Sequence, residues 1–429
     1  MGWGVLFTKL HSHMFFFVVA ENSPSKREGI MRVLWYVSQM TQSGGGERFT
    51  LATSNAIENA GHEILVVSDV VSDAAFFSGT YNRDNVVDLG GSYDEKISFI
   101  RTGVKKLLAL RQLYKVILGF KPDLILCQSE FDAVRICLVR KFFPKIPFRV
   151  FIFGQMFQFP QYITKFSAIF KKHCKTIMDS SPGYDADFSY KRRLRNPAVW
   201  FLNEVISICQ FYSVRSAEEV YVLSNQVKWE VSLLYGTDAK VLRGGIDESQ
   251  IDKDSVISPR KINNPARIVS ICRLEPKKRV DLLIRGFDLS QCEGQLIIVG
   301  DGPERQYLEK LAGRSSKKDN IQFLGRLPDD ERVAELRAAD CFCYLDVGDF
   351  GITVVEAMAA GISIVVTEDF DLRALGKNVP SVISIKATEE NLSNTLSNLA
   401  SIGRSSSLNL EILTRLTWQH VAAELTEKM

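Results

Sequence analysis

MRVLWYVSQMTQSGGGERFTLATSNAIENAGHEILVVS, Met31 to Ser68, holds a strand, a glycine-rich loop, a helix and a second strand in succession. Val33 to Ser38 is a short apolar run of the kind that lies buried on both faces of a sheet. Gly44, Gly45 and Gly46 follow, and a helical pattern runs from there through Ile57. Gly61 stops that helix, because the residue past a helix end favours positive φ, which glycine adopts freely. Ile64 to Ser68 is the next strand. Strands spaced by helices predict a parallel sheet with both faces covered.

The alternation continues outward. Asp123 to Cys127, Arg149 to Phe153 and Glu219 to Leu223 read as further strands. Residues 248–265 are polar, with Asp, Ser, Lys, Asn and two prolines, and read as a linker. Beyond it the pattern restarts with Arg267 to Ile271, Gln295 to Val299, Phe342 to Leu345 and Ile362 to Val366. The chain of 429 residues is too long for one ordinary core. The expected class is α/β, with two Rossmann-like domains facing a cleft. The expected divisions are an extension (1–30), a first domain (31–247), the linker (248–265), a second domain (266–405) and a final helix (406–429). Ligands of such sheets bind outside the carboxyl ends of the strands, and a cleft between two sheets favours small molecules.

Net charge is +3, which argues against a dedicated nucleic-acid binder. Eight cysteines include no CxxC pair and lie mostly in apolar runs, so a reduced, cytosolic protein without a disulfide scaffold is expected. Met14 to Ala20 is apolar but shorter than the roughly 20 residues that cross a bilayer. It reads as part of an N-terminal extension or as the apolar core of a secretory signal.

Four segments carry chemistry. The Gly44–Gly46 loop between strand and helix can point backbone N–H groups at an anion, or can be only a tight turn. Arg273 and Lys278 follow a strand in the run Arg273-Leu274-Glu275-Pro276-Lys277-Lys278-Arg279. There a planar fork and a point charge suit a pyrophosphate, while Lys277 and Arg279 read as solvated charges. Gly300-Asp301-Gly302-Pro303 makes a sharp turn at another strand end, either structural or in contact with ligand. Asp349-Phe350-Gly351-Ile352 precedes a helix carrying Glu356. Its free N–H groups can hold sugar hydroxyls or phosphate, and Glu356 can accept from a ribose diol or sit exposed on an amphipathic face.

In order and spacing these segments resemble the family-4 retaining glycosyltransferases of GT-B fold, from about Met31 to the C-terminus. The resemblance implies a donor-binding set of Gly44, Gly45, Gly302, Phe350, Gly351, Ile352 and Glu356. It gives Arg273 and Lys278 the grip on the donor diphosphate, and it matches Glu356 to the second acid of an E-x7-E motif. Arg243-Gly244-Gly245-Ile246-Asp247 is similar to the family's first-domain end, and Leu416-Thr417-Trp418 with the last helix to its returning tail. Two departures stand out. Gly348 occupies the position of the first acid, with Asp349 beside it as the substitute. Gln158 in Gln155-Met156-Phe157-Gln158-Phe159-Pro160 stands on the acceptor side where related mannosyltransferases carry histidine, and glutamine cannot take a proton at neutral pH.

The implied activity is transfer of a hexosyl unit, with a lean to mannosyl, from a GDP- or UDP-sugar to a glycan or lipid-linked acceptor with retention. Arg273, Lys278 and Asp349 are the catalytic set, and positioning and charge stabilisation do the work. The competing reading is an impaired homologue that binds nucleotide sugar or serves a glycosyltransferase complex. No metal cofactor is implied: Asp185-Ala186-Asp187 has DxD spacing, but that motif belongs to the other glycosyltransferase fold. Between Arg135 and Arg195 thirteen basic residues face only Asp179, Asp185 and Asp187, with phenylalanines interleaved. That composition suits peripheral contact with an anionic membrane, or a solvated basic face over a normal core.

Overall fold

The computed structural model describes residues 29–41, 44–76, 83–90, 99–143, 145–153, 197–251, 262–263, 265–346, 350–368, 370, 379, 381–399 and 407–427. A first sheet has seven strands in the order β3-β2-β1-β4-β5-β6-β7. These are β1 Arg32–Val37, β2 Glu63–Ser68, β3 Val86–Asp88, β4 Leu124–Cys127, β5 Phe148–Ile152, β6 Glu219–Val222 and β7 Lys240–Val241. A second sheet has six in the order β10-β9-β8-β11-β12-β13. These are β8 Ala266–Ile271, β9 Gly294–Val299, β10 Ile321–Gly325, β11 Cys341–Tyr344, β12 Ser363–Thr367 and β13 Val382–Ile385. Every strand pair is parallel. Both sheets are thus doubly wound, as the alternation predicts.

Helices fill the crossovers. In the first half they are α1 Gly45–Asn59, α2 Phe99–Phe120, α3 Glu130–Arg140, α4 Pro197–Arg215 and α5 Asn225–Tyr235. In the second they are α6 Val280–Leu289, α7 Arg305–Ala312, α8 Asp329–Ala338, α9 Ile352–Ala359, α10 Glu389–Ser397, α11 Ser407–Thr414 and α12 Trp418–Thr426. Local chemistry sets their ends. Ser129 Oγ caps α3 by accepting from Asp132 N at 3.1 Å, and Ser224 Oγ caps α5 from Val227 N at 3.1 Å. Gly61 follows α1 at φ +90°, the conformation expected of it. No helix among the described residues is long and apolar enough to cross a membrane.

The last helix returns to the first sheet. Trp418 is buried in one cluster with Trp35, Phe49 and Phe151, its ring edge-on to Phe49 with centroids 5.6 Å apart. Full burial of a large side chain contributes on the order of 3 kcal/mol of transfer free energy. Trp418 N donates to Ile246 O at 3.0 Å, and Arg149 Nη1 donates to Leu425 O at 2.7 Å. A Cβ on Gly244 would come within 2.3 Å of the Trp418 ring, and one on Gly245 within 2.8 Å of Val355. The Arg243–Asp247 segment is therefore the place where the final helix and α9 both bear on the first half.

Strand order reverses between β1 and β4, and again between β8 and β11. Crevices open at such switch points, at the carboxyl ends of the strands. The loops leaving β1, β8 and β11 carry the glycine run, the basic run and the segment before α9.

Candidate active site

After β8 the chain makes a short 3₁₀ turn, Pro276–Lys278. Arg273 is half-exposed and pairs with Glu275 at 3.0 Å. Lys278 is 19% exposed in its side chain, and its ammonium bonds Asp346 Oδ2 and lies 5.7 Å from the Tyr344 ring. Asp346, one residue past the neighbour of Tyr344 at the end of β11, also accepts from the Tyr344 hydroxyl at 3.0 Å. Lys277 stays partly exposed, 3.8 Å from Glu275. Arg279 corrects the expectation of a solvated charge: it is only 3% exposed and turns the chain at φ +51° into α6.

Gly302 holds this loop in shape. A Cβ there would lie 2.3 Å from Leu274 O, and one on Gly300 1.9 Å from Cys272 O. Two backbone bonds join the loops, Leu274 N to Asp301 O at 3.0 Å and Glu304 N to Leu274 O at 3.1 Å. Of the two readings of this turn, the close approach seen is to the loop that bears Arg273 and Lys278.

Gly44 is the extended N-cap of α1 and carries no side-chain cap. A Cβ at Gly45 would meet nothing within 4 Å, whereas one at Gly46 would lie 2.6 Å from Gln128 Nε2. A side chain at 46 would displace only the end of the Gln128 side chain, and one at 45 would displace nothing. A Cβ at Gly44 would lie 2.7 Å from Glu47 Oε2, so a carboxylate already sits at this helix start. Burial pushes the Glu47 carboxyl above its ordinary range, against a bond from its own backbone N–H.

At α9, Gly351 is extended and would place a Cβ 2.7 Å from the Tyr344 ring. The Phe350 carbonyl accepts from the Tyr344 hydroxyl at 3.3 Å, and the Arg243 guanidinium lies 5.6 Å from the Phe350 ring. Ile352 packs against the core of the first sheet. Glu356 is 6% exposed, which removes the exposed amphipathic reading. Its Oε1 accepts from Arg48 Nη2 of α1 at 2.6 Å and from Arg332 Nη2 of α8 at 3.0 Å. Its Oε2 accepts from Arg332 Nη1 at 2.6 Å. A carboxylate offers about four lone-pair positions, so one remains on Oε2. Asp349, Gly348, Gln158 and the Asp185–Asp187 pair lie outside the described residues, as does most of the basic stretch before Arg195.

A polar cluster lines the carboxyl end of the first sheet. The Tyr36 hydroxyl donates to Asp69 Oδ1 at 2.8 Å, and Arg135 of α3 donates to both residues. Asp132 beside them is buried. Burial pushes its carboxyl up to about 6, against hydrogen bonds from Ser38 and Ser129 and the nearby Arg135. Between the ordinary carboxyl value and about pH 6 the folded chain keeps this proton and the unfolded chain has lost it. Stability through this group therefore falls as pH rises across that window and is level above it. Asp132→Asn removes the charge. Urea unfolding of the variant is expected to gain about 2–3 kcal/mol over the native chain on going from pH 4 to pH 7. A difference that stays flat with pH would refute this.

Two doubly wound parallel sheets, with a basic loop at one switch point and a glycine-opened helix at the other, define a GT-B protein. The Glycosyltransferase Family 4 profile matches residues 43–250 and the Glycosyl transferases group 1 profile residues 252–378. The chain belongs to this family of glycosyltransferases, group 1, family 4. It is 30% identical over 150 residues to a phosphatidyl-myo-inositol mannosyltransferase of Mycobacterium leprae, a match covering 33% of this chain and 38% of that protein. Among solved structures it is similar to the lipopolysaccharide outer core galactosyltransferase WaaB, with TM-score 0.63 and 14% identity over 93% of this chain and 100% of that one. It is also similar to Anabaena HepE in complex with UDP, with TM-score 0.63 and 16% identity over 92% and 99% of the two chains.

Proposed function

We propose that this chain transfers a hexosyl unit from a nucleotide sugar to a glycan or lipid-linked acceptor with retention of configuration. The observation that carries the reading is the juxtaposition of Lys278 and the start of α9 at the second sheet's switch point, through Asp346 and Tyr344. The ammonium takes the diphosphate, Arg273 closes on it from the half-exposed side, and the N–H groups at Gly351 and Ile352, which have no acceptor within the helix, take the sugar. The leaving diphosphate accepts the acceptor's proton, so the protein supplies alignment and charge stabilisation. By the family resemblance alone, Asp349 joins the catalytic set and Gln158 the acceptor side. The mannosyl lean draws support from the activity of the mycobacterial relative, and a UDP-sugar from the nucleotide held by HepE. With this reading go a domain boundary within 248–265 and a cytosolic site of action at a membrane surface.

A thermal-shift panel of UDP-, GDP- and ADP-sugars tests it. A ligand that binds only the folded chain stabilises it by about 2.7 kcal/mol at a hundred times its Kd. One nucleotide class is expected to raise the melting temperature, and release of its diphosphate is expected to follow. No shift from any of the three would overturn the reading. Binding without release would favour the impaired homologue, which Gly348 and the doubly paired Glu356 also favour.

A further inference from the structure

An acid, Asp346, follows β11 and reaches the loop that leaves β8. Asp346 is 5% exposed. Its backbone carbonyl accepts from Thr367 Oγ1 of β12 at 3.3 Å, which fixes the residue to the sheet. Oδ2 takes the Tyr344 hydroxyl at 3.0 Å and the Lys278 ammonium. Oδ1 is buried and has no hydrogen-bond partner among the described residues. Leaving a buried polar atom unpaired costs about 1–3 kcal/mol. A carboxylate so placed is a poor stabiliser of the loop for its own sake.

What Asp346 does accomplish is to fix Lys278. β8 and β11 are neighbours in the sheet, so the loops that leave them meet at the switch point. A lysine head on a four-carbon stem is mobile, and ordering it costs about 2 kcal/mol of rotamer entropy. One N–H held by a carboxylate on a strand end leaves two N–H groups with a set direction. We infer that Asp346 is a positioning residue of the donor site: it stations the Lys278 ammonium for the donor diphosphate and keeps it aligned as the diphosphate departs. This rests on the nucleotide-sugar reading above.

The test uses the full chain as wild type, D346N, K278M and the double variant. UDP-glucose and GDP-mannose are the probes, and release of nucleoside diphosphate gives kcat and KM. Asn preserves shape, and the ammonium still attracts the diphosphate. D346N is therefore expected to lower kcat about 10–100-fold while KM stays within about three-fold, the pattern of an interaction made in the transition state. On the K278M background D346N is expected to change nothing further, because its whole effect runs through Lys278. A purely structural role would lower the urea midpoint and multiply with K278M instead. If D346N does not fold, D346E carries the same test, since it displaces the charge by one methylene. Unchanged kcat, or losses that multiply, would overturn the assignment while wild-type turnover leaves the nucleotide-sugar reading standing. Wild type that neither binds nor cleaves any of the UDP-, GDP- and ADP-sugars of the thermal-shift panel overturns both.

Discussion

Lys278→Met is expected to lower kcat for donor cleavage by about 10²–10³-fold, the usual cost of removing one preorganised group from developing negative charge. The size follows from the setting. The ammonium is mostly buried, fixed by Asp346 and beside the Tyr344 ring, so its field acts in a medium that screens little. A methionine of similar length fills the space and removes only the charge. Arg273→Met is expected to cost less, about ten-fold, because a half-exposed guanidinium paired with Glu275 acts through water. K278M also strands the Asp346 carboxylate, so its stability falls, and rates are to be referred to folded protein measured by circular dichroism. Equal losses for the two substitutions would show that the diphosphate is not held from the Lys278 side.

The sequence made the buried strands plain. β1, β4, β8, β9, β11 and β12 lie where runs rich in Val, Ile, Leu and aromatic residues place them, because strands buried on both faces are predominantly apolar. β3 and β13 lie at sheet edges, and Val86–Asp88 and Val382–Ile385 are short and partly exposed. β7 has two residues, and β10 carries an exposed Gln322 between Ile321 and Phe323. No apolar period announces such edges. In the site, glycines and basic residues could be read because their types restrict what they can do. Asp346 could not, since a lone acid after a strand is ambiguous until β8 brings Lys278 beside it. Arg48 and Arg332 were hidden for the same reason: each is an ordinary helical arginine until tertiary packing turns both onto Glu356. Gly302 was legible as a glycine that had to be there, but the partner that demanded it, the Leu274 backbone, is set by the parallel pairing of β8 with β9.

Glu356→Ala is expected to cost about 3–5 kcal/mol of folding stability, the loss found when one member of a buried ionic group is removed. Two guanidiniums converge on this carboxylate, and both side chains are only 11% exposed. Arg332 retains Asp329 at 3.1 Å and is partly compensated. Arg48 belongs to α1 of the first half, so its pair with Glu356 joins the two halves. Glu356→Gln is expected to be nearly as damaging, because an amide turns an N–H group toward guanidiniums that have only N–H groups to offer. Arg48→Met separates two roles that the glutamate variants merge. It leaves the Arg332 pair intact, so urea unfolding should lose about 1.5–3 kcal/mol, the range of a hydrogen bond to a charged group. One polar tie between the halves is gone, while the Ile352, Gly245–Val355 and Arg243–Phe350 contacts remain, so the radius of gyration by solution scattering should rise only slightly. If Glu356 also takes a ribose hydroxyl on its remaining Oε2 lone pair, Arg48→Met keeps donor affinity while Glu356→Ala loses it. An unfolding free energy for Glu356→Ala within 1 kcal/mol or so of the native chain would show that the two arginines find other partners. The acid would then be a ligand group first and a tie between the halves second.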